Sequence, residues 1–187
     1  VDYFTAQVPA DTLFYINKSP LEVENWNAVK LLADEIVAEA QPTLHQNALT
    51  AFSSRITQEY HVEFRYLDLV DTSNGNVWVT ASNPVDIYWP YPEGTGPNTE
   101  FFIVHYFGLD RNDDDALPEG DYTMILHAAD EKTLLNTPYG VCIRVTEFSP
   151  FALFWKNENG PVDPDDPDDP DKPVDPDDPD DPGEQRR

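Results

Sequence analysis

The sequence predicts a mainly β protein: an Ig-like two-sheet β-sandwich with an N-terminal helical pair, followed by a disordered polyproline II tail. Three observations carry this. From Tyr60 onward, short aromatic and β-branched runs recur, separated by turn-rich stretches. Between residues 20 and 57 the apolar spacing changes to that of helices. From residue 161, proline falls at every third position, from Pro161 to Pro182.

The first 16 residues read as extended. Phe4, Ala6 and Val8 share a face, and Pro9 and Asp11 turn the chain into TLFYIN. Ser19, Pro20 and Glu22 fit a capping box with proline in the first helical turn. Trp26, Val29, Leu32, Ala33, Ile36, Val37 and Ala40 then form a stripe, which Pro42 ends. Thr43 and Gln46 repeat the box, and Leu49, Phe52 and Ile56 continue the period. The expectation is two helices, about 20–40 and 44–57. Tyr60, Val62, Phe64 and Tyr66 alternate with polar residues, and Leu67 and Leu69 shift the phase. That shift predicts a bulge or bend near Tyr66. An Asn-Gly turn signal lies within 71–76. Further strands are expected near 76–81, 84–89, 101–107, 121–128, 140–148 and 151–156. Trp78, Trp89, Phe102, Phe151 and Trp155 are the expected core aromatics.

The tail repeats a twelve-residue unit, PVDPDDPDDPDK and then PVDPDDPDDPGE. Three residues per polyproline turn would stack the prolines along one edge, with aspartates on the other two. At roughly 3.1 Å per residue, such a segment reaches about 75 Å and buries no core. It reads as a spacer. The expected division is a domain over 1–160 and a spacer over 161–187.

The formal net charge is −25, and the first 160 residues alone carry 24 acids against 8 bases. Such a chain is repelled by phosphate backbones and anionic lipid, so nucleic acid and membrane surfaces are poor partners. No run approaches the roughly 18 apolar residues of a spanning helix, so direct membrane insertion is not expected. Cys142 stands alone, which excludes an internal disulfide and a Cys-rich metal site. The start, VDYFTAQVPA, reads as a strand cut from a longer chain and not as a signal peptide.

VDIYWPYPEGT (85–95), FIVHYFGLDR (102–111) and EFSPFALFW (147–155), followed by a Pro/Asp-rich spacer, resemble a known module. It is the wall-proximal β-sandwich near the C-terminal end of Gram-positive bacterial cell-surface proteins. The likeness covers about 75–182. It implies extracellular display at the cell wall, often with covalent anchoring, alongside other domains of a larger surface protein. No sortase-type motif or terminal apolar helix is present, and the general module does not explain the helices at 20–57. An internal isopeptide bond is a family-level possibility. Only Lys18, Lys30, Lys132 and Lys156 of the domain could supply it, and none falls in the core pattern.

Asp110, Asn112, Asp114 and Asp121 occupy positions one, three, five and twelve of a calcium-loop template. Hard cations need such clustered oxygens, and calcium is the one cofactor for which the sequence offers a place. Asp115 replaces the template glycine, Asp121 replaces glutamate, and the flanks read as strands, so a solvated hairpin loop is the competing reading. Tyr88, Trp89 and Tyr91 could stack on sugars, although the alternation of Val85, Ile87 and Trp89 favours a core role for Trp89. His105 and His127 fall in strands that could pair, without a third zinc ligand at a recognisable spacing. They read as partly exposed sheet histidines. Cys142 reads as packing, and Ser149, before Pro150, sits at a strand break and not in a nucleophile elbow. The resulting expectation is a non-enzymatic structural or adhesive stalk module, with no catalytic residues. A carbohydrate- or host-ligand-binding domain is the alternative, with a host glycan or protein as partner.

Overall fold

The computed structural model describes residues 2–21, 28–109 and 121–156. The spacer therefore lies outside the described residues. Within them the protein is mainly β, with two sheets, one of them nearly closed. The strands are β1 (Tyr3–Gln7), β2 (Phe14–Ile16), β3 (Ser19–Leu21), β4 (Val29–Glu35), β5 (His61–Asp71), β6 (Val77–Trp78) and β7 (Thr80–Ala81). They continue with β8 (Val85–Trp89), β9 (Phe101–Phe107), β10 (Thr123–Ala128), β11 (Leu135–Thr137), β12 (Gly140–Val145) and β13 (Pro150–Trp155). Helix α1 spans Gln41–Ala51.

The large sheet runs in the order β10-β9-β13-β5-β4-β1-β8-β12-β11, every pairing antiparallel, with β6 added beside β5. β1 joins its two halves. Tyr3 and Phe4 pair with β4, and Thr5 to Gln7 pair with β8, so five residues carry the chain around the corner. The sheet curls until its end strands, β10 and β11, are linked only by the turn at 129–134.

Period-two alternation fills the space inside. Phe4 on β1, Val85, Ile87 and Trp89 on β8, and Val141, Ile143 and Val145 on β12 all point inward, as their spacing predicts. Phe101 and Ile103 meet them from β9, and Phe151, Leu153 and Trp155 from β13. Trp89, Ile87, Ile103 and Leu153 are fully buried, so the lumen is a packed core. The alternate residues of β9 and β13 (Phe102, Val104, Tyr106, Ala152 and Phe154) face outward and are covered by α1. Tyr106 donates a 2.7 Å hydrogen bond to the carbonyl of Leu44 on the helix. A third cluster of Phe14, Leu69 and Val79 seats the small sheet β3-β2-β7.

The expected helical pair is not formed. Residues 29–35 are strand β4, paired with β5 over seven residues and with β1 over two. The stripe misled because β4 is buried on both faces: Leu31, Leu32 and Ala33 are consecutive and all buried. A strand with two buried faces loses its alternation and reads as an apolar run. Leu31, absent from the helical stripe, is 0% exposed. The first capping box also fails. Asn17 and Lys18 take positive φ (46° and 66°) and form a two-residue hairpin turn, placing Ser19 and Pro20 in β3. Proline is tolerated there because β3 is an edge. Trp26 and Glu22 lie outside the described residues.

Helix α1, the only α-helix among the described residues, starts three residues before its expected start. Pro42 lies in its first turn, where the missing N–H costs nothing, so it opens α1 and ends no helix. The second capping box makes no side-chain cap. The bend expected near Tyr66 is also absent as a break in pairing, since the register runs one-to-one from His61 to Asp71. Phe64 and Tyr66 face α1, whereas Leu67 faces the lumen, so a change of covering layer imitated a phase shift. Of the expected core aromatics, Trp89, Phe102, Phe151 and Trp155 are buried, but Trp78 is 40% exposed on the two-residue strand β6.

Candidate functional site

The residues proposed for ligand binding divide between inside and outside. Trp89 belongs to the lumen, 0% exposed, with its ring 5.4 Å from that of Phe4. Its indole Nε1 donates to Glu63 at 3.3 Å. Tyr91 is half-buried against Phe101, and its hydroxyl donates to the Thr137 carbonyl at 2.6 Å. Burial raises its pKa. Tyr88 alone stands on the outer face.

That outer face is built by register. Thr5, Tyr88, Cys142 and Leu135 form one row across β1, β8, β12 and β11, and Gln7, Asp86 and Arg144 form the next. Tyr139, 79% exposed, closes edge-on over Tyr88 with ring centroids 6.2 Å apart. Leu135 is 65% exposed beside it. Arg144 grips Asp86 through two hydrogen bonds of 2.8 and 3.2 Å. Burial, followed by the negative charge of Asp86, raises the Cys142 thiol pKa, so the thiol stays protonated at neutral pH. Tyr139 falls between the strands expected near 121–128 and 140–148, and only the fold sets it against Tyr88.

A second constellation is internal. His105 is 3% exposed and Ser149 is 4% exposed, and they share a 2.6 Å hydrogen bond at Nε2 and Oγ. The imidazole stacks on Phe151 at 4.0 Å and 9°. His105 is thus buried, against the expectation of a partly exposed sheet residue. Burial, with His127 nearby, lowers its pKa to about 3. A serine beside a histidine is nucleophile geometry, but a base this weak removes a hydroxyl proton poorly. Ring stacking and mutual hydrogen bonding make the pair a polar pin in the core. His127, also shifted down by burial, pairs opposite Ile103. Ser149 and the exposed Trp78 line a cavity of about 350 Å³ at this end, with Asp68 and Glu147.

At another position on the lumen face of β5, Arg65 joins Glu63 (3.2 Å), Asp2 (3.2 Å) and the Ala33 carbonyl (3.3 Å). Its guanidinium lies 5.6 Å from the Phe4 ring. This network accounts for two of the polar residues that alternate in β5, Glu63 and Arg65.

A third feature is a groove of about 560 Å³ where the large sheet fails to close. It lies between His127 of β10 and Ile143 and Arg144 of β12, with Leu134 and Leu135 in its wall.

Asp110, Asn112 and Asp114 of the expected calcium loop lie outside the described residues. Asp121 is described and exposed. Among the described residues, no group of three or more His, Cys, Asp or Glu side chains is placed to hold a metal ion. Lys18, Lys30, Lys132 and Lys156 are all exposed, so none sits in the core where an isopeptide bond would form. Among the described residues, no helix is long and apolar enough to cross a membrane.

Comparison with protein-family models, curated proteins and solved structures finds no match to this chain.

Proposed function

We propose that the chain is a non-enzymatic structural and adhesive stalk module, displayed outside a Gram-positive bacterium on a larger wall-anchored surface protein. In this reading the two halves of the curled sheet form an Ig-like sandwich joined at β1. The observation that carries the proposal is the Pro/Asp triplet repeat over 161–182, directly after the domain. Locked proline φ angles and repelling aspartates extend such a chain and hold a module away from its base. The packed lumen supports the reading, because an interior filled by Trp89, Ile87 and Ile103 is built for rigidity. Small-angle scattering on the whole chain and on a version ending at Asn159 tests it. Truncation should shorten the maximum dimension by tens of ångströms. An almost unchanged dimension would sink the stalk.

One observation favours a second reading, carbohydrate or host-ligand binding. Tyr139 and Tyr88 present an aromatic ledge beside the Arg144–Asp86 pair. Apolar ring faces next to planar hydrogen-bonding groups are suited to sugars. Glycan-array binding that is lost in Tyr139→Ala, with the fold intact, would support it. Binding that survives Tyr139→Ala and Tyr88→Ala would remove this ledge from consideration. Trp89→Ala is a poor probe, since it empties the core.

A further inference from the structure

Strand β10 ends the large sheet and pairs only with β9. Its sequence, Thr-Met-Ile-Leu-His-Ala, contains no charge and no proline, and its six register pairs run without a bulge. Proteins ordinarily protect an edge with one of these devices, because a bare edge templates further pairing. The direction of its unpaired groups follows from the last residue. Ala128 accepts from the Thr133 N–H at 3.1 Å, and its own N–H donates to Thr133 Oγ1 at 2.9 Å. Both bonds lie on the side away from β9. The two-residue period then turns the N–H and C=O of Leu126 and Met124 to that side too. Among the described residues, no strand meets them there.

Side-chain seats accompany the edge. Ile125 is opposite His105 in register and is 38% exposed. The 560 Å³ groove continues from His127 to Leu134, Leu135 and Ile143. Main-chain pairing along a strand edge, with alternate side chains entering an adjacent groove, is the mode of β-strand addition.

We infer that the open edge of β10 takes up an extended peptide segment of a partner protein, uncharged over the paired residues and basic at its end. Charge selects this occupant. The chain carries −25, and the exposed Asp121 stands two residues before β10. That field repels a second copy of the chain and draws a cationic segment toward an edge with no charge of its own. The incoming strand runs antiparallel to β10, so its basic residues follow the paired stretch and meet the Asp121 end. The inference does not rest on the spacer, and its groove shares Leu135 and Arg144 with the surface that carries the aromatic ledge.

The test uses the full chain and a fluorescein-labelled peptide of alternating threonine and valine ending in two lysines. Anisotropy should show saturable binding. N-methylation of alternate amides, which removes the strand-pairing donors, should weaken it at least tenfold. Ile125→Lys, which protects the edge, should do the same. Leu126→Pro removes only an outward-facing N–H and should also weaken binding. Should that variant misfold by near-UV circular dichroism, Ile125→Lys still decides the matter. Absence of binding overturns the inference. Equal binding by the N-methylated peptide overturns it too, since attraction would then be charge alone. Self-association abolished by Ile125→Lys, without peptide uptake, would assign the edge to a second copy instead.

Discussion

His105 shows how burial turns a titratable residue into a pH sensor of stability. Its folded pKa of about 3 lies below its ordinary 6.5, because burial disfavours the charged ring and His127 adds to the effect. Between these values the unfolded chain holds the proton that the folded one refuses. Stability is therefore full above pH 6.5 and declines as pH falls through the window toward 3. The slope from this residue alone is about 1.4 kcal/mol per pH unit. His45 and His127 shift in the same direction. Urea unfolding between pH 7 and 5 should show the decline, and His105→Asn should flatten it without abolishing it. A variant with an unchanged slope would mean the buried ring is not the proton acceptor. Gly140 is the second telling residue. Its φ of 132° and its contact with the paired strand leave no room for a side chain, since a Cβ would stand 2.3 Å from the Trp89 carbonyl oxygen. Gly140→Ala should cost on the order of 2–3 kcal/mol, read as a lower urea midpoint. Neither effect was legible in sequence. The His105–Ser149 bond spans 44 positions, and GVCIRV gives no sign that its glycine abuts a tryptophan main chain.

Elements were legible in proportion to how local their signals are. Val85, Ile87 and Trp89, and Val141, Ile143 and Val145, alternate because one face of each strand meets water and the other the core. β4 has no wet face over Leu31 to Ala33, so its period was erased and a helical one could be fitted. β11, three residues long, falls between the strands expected near 121–128 and 140–148, because nothing in Leu-Asn-Thr marks a strand without β12 beside it. The β2–β3 hairpin is a case where the local signal existed and was outcompeted. Asn17 at positive φ is a turn residue, but the Ser-Pro-x-Glu pattern that follows it imitates a helix start. Its geometry makes a direct prediction. Lys18 holds φ at 66° and is exposed, so Lys18→Gly relieves strain and loses no contact with the core. It should stabilise the protein by about 0.5–1 kcal/mol. A lower midpoint would show that the turn's backbone is not what limits this hairpin.

For the molecule as a whole, charge sets the response to salt. A net charge of −25 disfavours compaction through self-repulsion, and added salt screens it. The ion pairs that salt also weakens are surface pairs of small worth, such as Arg55–Asp130 and Arg144–Asp86. Raising NaCl from about 20 to 200 mM should therefore stabilise the domain by about 1 kcal/mol, or roughly 2–4 °C in Tm. A fall in Tm would mean that ion pairs outweigh repulsion. The sequence by itself determined the β character, the inward faces of β1, β8 and β12, the acidity and the proline repeat. Each is a property of neighbouring residues or of composition. Only the tertiary structure decided that 29–35 is a strand, that Trp78 and Tyr139 are surface rings, and that the sheet stops short of closing at β10. Those outcomes depend on which distant segment covers which face, and pairings such as Val29 with Asp71 or Trp89 with Val141 leave no trace in local spacing.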